Sequence, residues 1–309
     1  MIFAPTAAGK TALALDLFGT GSSSFFKGRA ELISADSMQV YCGMDIGTAK
    51  PCAAECNILP HHLINLYTPD TPYSAANFVS LADACCIDIW SSGKLPLVVG
   101  GTGFYIRNFL LGLPPTPASD EKIRKSLIER VKVEGTAVLY EELLECDPVS
   151  AAVIHPNDAY RICRALEVYR TTGKPRSSFR CPSELRTNYD FCIIELIRNR
   201  DDLYRRIDER VDDMFRRGLA DEVRSLRNAG YTMEDPGMRA IGYREWFSAS
   251  DKQTVAEMIK EDSHRYAKKQ YTYMKDIPGA ELIPFDGSRE AVNIVRNRFL
   301  FFLQRIHLT

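Results

Sequence analysis

The stretch Ala4-Pro5-Thr6-Ala7-Ala8-Gly9-Lys10-Thr11 constrains this chain more than any other. It follows the apolar residues Met1 to Phe3 and opens a helical pattern from Thr11 to Phe18 with Leu13, Leu15 and Leu17. A strand, a loop ending Gly-Lys-Thr and then a helix form the setting in which a G-x-x-x-x-G-K-[ST] loop holds phosphate. Successive backbone N–H groups make an anion nest and the helix N-terminus adds partial positive charge. Lys10 supplies a mobile cation, and the Thr11 hydroxyl can ligate Mg²⁺. All four features favour a diphosphate. Two departures stand out. Ala4 occupies the place of the first glycine, and if that position needs a positive φ, alanine costs about 1 kcal/mol. The strand is also brief for a central one, which leads us to expect a natural start upstream of Met1.

Other apolar runs end in chemically suggestive residues. Glu31 to Ala35 ends at Asp36, Leu95 to Val99 at Gly100-Gly101-Thr102, and Phe191 to Ile197 at Arg198-Asn199-Arg200. Such strands alternating with helical stretches predict an α/β fold of P-loop NTPase type, a mostly parallel sheet with helices on both faces. Ligands then belong at the carboxyl ends of the strands. At 309 residues and 45% hydrophobic side chains, the chain can fill that core and still form a smaller second unit. The charged helical texture after Leu113-Pro114-Pro115-Thr116-Pro117 predicts a helical insertion over 117–188, with 1–116 and 189–309 as the core. Asp201 to Asn228 reads as one long helix with Leu203, Ile207, Val211, Met214 and Phe215 inward, its arginines on a solvated face. Gly19 to Gly28 reads as a surface connection, and Phe299 to Ile306 as a closing helix.

Charge alone makes no case for a nucleic-acid partner, because 39 Lys and Arg balance 40 acidic residues to a net −1. No run is apolar enough to cross a bilayer, and no leader pattern opens the chain, so a cytoplasmic protein without a membrane partner is expected. The nine scattered cysteines then read as free thiols. Cys52, Cys56, His61 and His62 can be drawn as a zinc site, but their spacing fits no structural pattern, and we read them as ordinary residues.

A phosphate loop does not name a reaction, since kinases, ATPases and switch proteins share it. Asp36, at a strand's carboxyl end and facing the same crevice, suits either a metal ligand or a general base. Spacing does not choose between them. The chain resembles the tRNA dimethylallyltransferase family, also called isopentenyl-tRNA transferases, in six ordered blocks. These are PTAAGKT, SADSMQVYCGMDIGTAKP, PHHL at 60–63, VVGGTGFY at 98–105, IHPNDAYRICRALEVY at 154–169 and RAIGYRE at 239–245. The resemblance implies transfer of a dimethylallyl group from dimethylallyl diphosphate to N6 of the adenine on the 3′ side of the anticodon. It implies that the loop grips the diphosphate with Mg²⁺ on Thr11 and that Asp36 accepts the amine proton. Lys10 and Thr102 would stabilise the departing diphosphate. Nearby rivals are an adenylate isopentenyltransferase acting on free AMP, ADP or ATP, a small-molecule P-loop kinase, and a nucleotide-dependent RNA-binding switch.

An adenine in an anticodon loop is stacked, so an enzyme must extrude it beside a basic, partly aromatic surface. His264 to Lys275 interleaves cations with aromatics, Tyr160 to Arg164 carries Arg161 and Arg164, and Arg239 to Arg244 places two arginines around Gly242. Standing alone, such segments are more often solvated helices. By the resemblance, the tRNA contacts are Asp36, Ser37, Met38, Gln39, Thr102, Arg124, Tyr160, Arg161, Ile162, Cys163 and Arg164. Arg239, Ala240, Ile241, Gly242, Tyr243 and Arg244 continue the set. Lys268, Lys269, Gln270, Tyr271, Thr272, Tyr273, Met274 and Lys275 complete it. The resemblance further implies that the insertion clasps the anticodon stem of the tRNA; a monomer is expected.

Overall fold

A computed structural model describes residues 1–307. Its strands are β1 Ile2–Phe3, β2 Ala30–Ala35, β3 His61–His62, β4 Leu95–Gly100, β5 Ile193–Ile197 and β6 Ala280–Pro284. Its helices are α1 Lys10–Phe18, α2 Ala53–Ile58, α3 Ala75–Ser91, α4 Gly103–Leu111, α5 Glu121–Glu134 and α6 Thr136–Cys146. They continue with α7 Pro148–Ala151, α8 Ala159–Thr172, α9 Arg200–Arg216, α10 Leu219–Asn228, α11 Lys252–Met274 and α12 Arg289–Arg305. Two compact units result: Met1–Leu110 with the chain from Leu185 onward, and Leu111–Glu184. The second begins and ends a few residues earlier than the expected 117–188.

In the first unit the six strands form one sheet in the order β3-β2-β4-β1-β5-β6, and each neighbouring pair is parallel. The expected α/β architecture is therefore present, and the carboxyl ends of β1, β2 and β4 open on one edge. β1 is only two residues long yet central, with Ile2 opposite Val99 on one side and Ile194 on the other. Ile2 and Phe3 are fully buried. The Met1 ammonium donates to the Cys192 carbonyl at 2.6 Å, and burial pushes its pKa down. Around the sheet, Leu13, Leu17 and Phe18 of α1 pack with Ile194, Leu196, Val295 and Phe299. A separate core of Val40, Tyr41, Met44, Val211, Met214, Tyr243 and Ile259 supports the segment that follows β2.

The single helix expected over 201–228 is two. α9 buries Leu203, Ile207, Val211 and Met214, each worth about 1.5–3 kcal/mol. It ends at Arg216, with Arg217 as its cap, and Gly218 adopts φ 98°, the left-handed turn that glycine permits, before α10 begins. In the second unit, Leu127, Leu139, Leu143, Ile162 and Leu166 from α5, α6 and α8 form their own core. Asp120 and Asp158 cap α5 and α8 by accepting from backbone N–H groups. Among the described residues no helix is long and apolar enough to cross a membrane.

Candidate active site

The loop between β1 and α1 has the strand–loop–helix setting that its spacing predicts, with one reassignment. Ala4 keeps a negative φ, is fully buried, and donates its N–H to the Gly100 carbonyl at 3.4 Å, continuing the β1–β4 pairing. The strain anticipated at Ala4 is absent, because the residues with positive φ are Ala7 at 59° and Gly9 at 99°. Gly9 precedes α1 without any side-chain cap, so the first N–H groups of the helix have no side-chain partner there. Arginines brace the loop from behind. Arg206 donates to the Ala7 carbonyl at 3.0 Å and Arg198 to the Ala8 carbonyl at 3.2 Å. Lys10 curls over the loop, its ammonium donating to the carbonyls of Ala4 and Pro5 at 2.9 and 2.7 Å.

A cavity of about 320 Å³ joins this loop to the ends of β2 and β4. Thr6, Lys10, Thr11, Asp36, Ser37, Met38, Gln39 and Gly101 line it together with Arg210, Ile241, Tyr266 and Gln270. Asp36 Oδ1 accepts from the N–H groups of Met38 and Gln39 at 2.8 and 3.3 Å, a local turn that fixes the carboxylate at the mouth of β2. The Thr102 hydroxyl accepts from the Ser37 N–H at 3.0 Å, locking the turn after β4 to the segment carrying Asp36. Gln39 is a brace: its carbonyl accepts from Ser34 Oγ, and its amide donates to the carbonyls of Thr48 and Ala49.

The electrostatics favour an incoming polyanion. Burial and, after it, the neighbouring Arg210 cation together push the Lys10 pKa down to about 7, with Asp36 partly opposing both. Burial likewise lowers Arg210, again opposed by Asp36. Two cations and one carboxylate share the crevice. Tyr266 is raised to about 12, chiefly by burial and then by Asp36, with Thr102 partly opposing. Mg²⁺ suits the donor set in one way. Thr11 and Asp36 offer oxygens to the same cavity, while the described residues assemble no group of three His, Cys, Asp or Glu. An ion that draws most of its ligands from phosphate and water fits that arrangement.

Among the residues expected to face RNA, placement separates two kinds. Lys268, Lys269, Thr272, Tyr273 and Lys275 are exposed on or just after α11, whereas Gln270 and Met274 are buried and Tyr271 packs on the sheet core. Tyr243 is buried too: its hydroxyl donates to Glu222, which accepts from the N–H groups of Ile46 and Gly47. Gly242 at φ 101° lies against Gly47. The Arg239–Glu245 block thus clamps the loop after Asp36, with Ala240 and Ile241 on the cavity wall. Arg239 donates to the carbonyls of Met233 and Glu234, and Arg244 pairs with Asp262 and Glu245. On the second unit, Tyr160 is exposed with the Arg124 guanidinium 5.0 Å from its ring centre, and Arg161 pairs with Asp158. Arg164 pairs with Glu167 and donates to the Pro117 carbonyl, while Ile162 and Cys163 are buried in that unit's core.

Of the residues drawn as a zinc site, His61 contacts the Leu59 carbonyl, His62 pairs with Glu31, and Cys52 caps α2. Arg210 escaped the sequence reading. Its signal is positional: three residues after Ile207 and four before Met214, it lies on the inward stripe of α9.

Residues 39–277 match the family described as IPP transferase. A tRNA dimethylallyltransferase of Geobacter sulfurreducens is 39% identical over 304 residues, 97% of this chain and 96% of its own. The tRNA dimethylallyltransferase 2 of Geotalea uraniireducens is 46% identical over 278 residues, covering 88% and 87%. The solved full-length tRNA isopentenylpyrophosphate transferase of Bacillus halodurans superposes with a TM-score of 0.68 at 35% identity, covering 98% of this chain and 96% of that one. A eukaryotic dimethylallyltransferase acting on tRNA gives 0.79 at 28% identity, covering 97% and 78%.

Proposed function

The chain belongs to the IPP transferase family, and from that premise we propose that it transfers a dimethylallyl group from dimethylallyl diphosphate to tRNA. The acceptor is N6 of the adenine 3′ to the anticodon, and the products are N6-dimethylallyl adenosine and diphosphate. The observation that carries this reading is one cavity holding both halves of the reaction, the cationic phosphate loop and the fixed carboxylate of Asp36.

In this reading the donor's diphosphate rests on the N-terminus of α1 and the N–H groups of the loop, facing Lys10 and Arg210. The adenine, turned out of its stack, presents its exocyclic amine to Asp36. That amine is a weak nucleophile because its lone pair is delocalised into the ring. Asp36 accepts its proton as the N–C bond forms, and the C–O bond to diphosphate breaks on the opposite side of the reacting carbon. Negative charge then grows on the leaving group, where the two half-buried basic side chains, Lys10 and Arg210, stabilise it more than water would. The Thr11 hydroxyl would hold Mg²⁺ at this end of the cavity, and the ion would supply further charge neutralisation at the leaving group. Thr102 holds the Asp36 segment through Ser37 and lies beside Tyr266, so its contribution is to order the acceptor side.

Lys268, Lys269, Thr272, Tyr273 and Lys275 offer the RNA backbone cations and aromatic faces. The helical unit, with Arg124, Tyr160 and Arg161 at its surface, serves the anticodon stem. The experiment is direct: incubate the protein with dimethylallyl diphosphate and unmodified tRNA, digest to nucleosides and look for the added five-carbon mass on adenosine. Prenylation of AMP or ATP but not of tRNA would overturn the assignment of the acceptor. ATP hydrolysis without prenylation would overturn the reaction.

A further inference from the structure

Gln270 lies in α11 between the exposed Lys269 and the half-buried Tyr271, and only 4% of it reaches solvent. Both ends of its amide are used. Its Oε1 accepts from the Thr6 N–H at 3.0 Å, and its Nε2 donates to the Gly101 carbonyl at 2.6 Å. Since a backbone N–H demands an acceptor and a carbonyl demands a donor, these partners also fix which way the amide points. Thr6 belongs to the phosphate loop, and Gly101 to the turn after β4. The next residue is Thr102, whose hydroxyl accepts from Ser37 beside Asp36. A second observation agrees. A Cβ on Gly101 would overlap Gln270 Nε2 and come within 3.1 Å of the Ala4 carbonyl, so the close approach of the amide requires glycine there.

We propose that Gln270 is a positioning residue for prenyl transfer, a strut that holds the diphosphate loop and the Gly101–Thr102 turn in register. The proposal rests on the transfer reading above. In that reaction the N6–C1 bond forms while the C1–O bond breaks, the amine proton goes to Asp36, and diphosphate leaves with the electron pair. Gln270 exchanges no atom or electron. It spans the two backbones that carry the leaving-group site and the acceptor site, and a relative slip of about 1 Å between reacting groups costs on the order of a hundredfold in rate. The Thr6 N–H is also committed to Gln270, which leaves the diphosphate to N–H groups later in the loop. A helix that shows cations outward and this amide inward thereby supports both substrates.

The test compares the full chain with its Gln270→Ala, Gln270→Met and Gln270→Glu variants in steady-state prenylation of tRNA. Methionine matches glutamine in length without its hydrogen bonds. We expect kcat of the Ala and Met variants to fall about ten- to a hundredfold while KM for tRNA moves less than about threefold. The Glu variant carries the signature. As pH falls and its buried carboxyl takes up a proton, it regains a donor for the Gly101 carbonyl, and its kcat relative to wild type rises. A Met variant within about threefold of wild-type kcat would assign Gln270 to packing and overturn the proposal. A Glu-to-wild-type ratio that stays flat with pH would overturn it as well. If the Ala variant does not fold, Met and Glu decide the matter. Failure of the wild type to prenylate tRNA would instead strike the reading on which the proposal rests.

Discussion

Lys10 provides the most discriminating measurement of how the crevice handles charge. Without ligand its ammonium is held at about 7 by burial and by the adjacent Arg210 cation. A bound diphosphate reverses that balance, because an anion beside an amine favours its charged form. The complex therefore keeps the proton to a much higher pH, and binding takes up a proton wherever free Lys10 is neutral. The sign follows from linkage. With the pKa higher in the complex, apparent affinity is constant below the free-state value and weakens as pH rises through it, until the bound-state pKa is passed. With a free-state pKa near 7, half of Lys10 is already neutral near pH 7 and about one part in a hundred is charged near pH 9. The apparent dissociation constant should thus rise about fiftyfold between these conditions. The terminal phosphate is already ionised across this window, its second pKa being about 6. Titration calorimetry with dimethylallyl diphosphate, without tRNA so that nothing is consumed, gives both quantities. Repeating it near pH 8 in buffers of different ionisation enthalpy reads the protons taken up, expected to approach one. Lys10→Arg, permanently charged, should show neither the uptake nor the pH dependence. Equal wild-type affinities near pH 7 and pH 9 with no proton uptake would refute the argument and return Lys10 to an ordinary exposed lysine.

Four shorter predictions follow from the same geometry. Asp36→Ala should lower kcat by at least about a hundredfold and leave tRNA affinity within a fewfold, and turnover near the wild-type rate would remove Asp36 as the base. Ala4→Gly, which restores the expected motif, should lower stability by about 0.5–1 kcal/mol, since Ala4 has a negative φ and a buried Cβ; a higher Tm would contradict that placement. Replacing exposed Lys268 and Lys269 with glutamate should weaken tRNA binding and flatten its dependence on salt, and an unchanged log–log slope would exclude phosphate contacts there. Burial raises the pKa of Glu195 in β5 to about 7, above its unfolded value, so its stabilisation is complete at pH below the unfolded value and is lost as pH rises through 7. Glu195→Gln should therefore melt a few degrees above wild type near pH 8 and approach it near pH 5, and parallel Tm curves would show that Glu195 stays charged in the fold.

How far the sequence could be read depended on whether each feature announces itself locally. β2 and β4 are six-residue, largely buried strands, and a motif residue follows each, so strand and candidate site are legible together. β3 is two residues of histidine, and β6 reads Ala-Glu-Leu-Ile-Pro with mixed exposure. Both lie at the sheet's edges, where little apolar periodicity is demanded and proline is tolerated. Gly218 ended α9 within what reads as continuous helical periodicity, because a left-handed residue interrupts the backbone without disturbing the apolar spacing around it.

The site shows the same division with more consequence. Asp36, Lys10, Thr11 and Thr102 occur in short motifs where chain neighbours define the geometry, so the sequence singles them out. Arg210 and Gln270 act from helices distant in sequence, and both are polar residues on otherwise apolar stripes. In a helix of mixed charge, composition sends such arginines to the solvated face. The heptad position argues otherwise, since Arg210 falls between Ile207 and Met214, both buried. An inward polar residue is costly unless something answers it. Gln270 is answered by two backbone groups of the site itself. Arg210 faces a cavity whose one nearby carboxylate, Asp36, is shared with Lys10. Two basic side chains against one carboxylate give the crevice a bias toward anions, and in the proposed reaction the diphosphate of the donor would answer it.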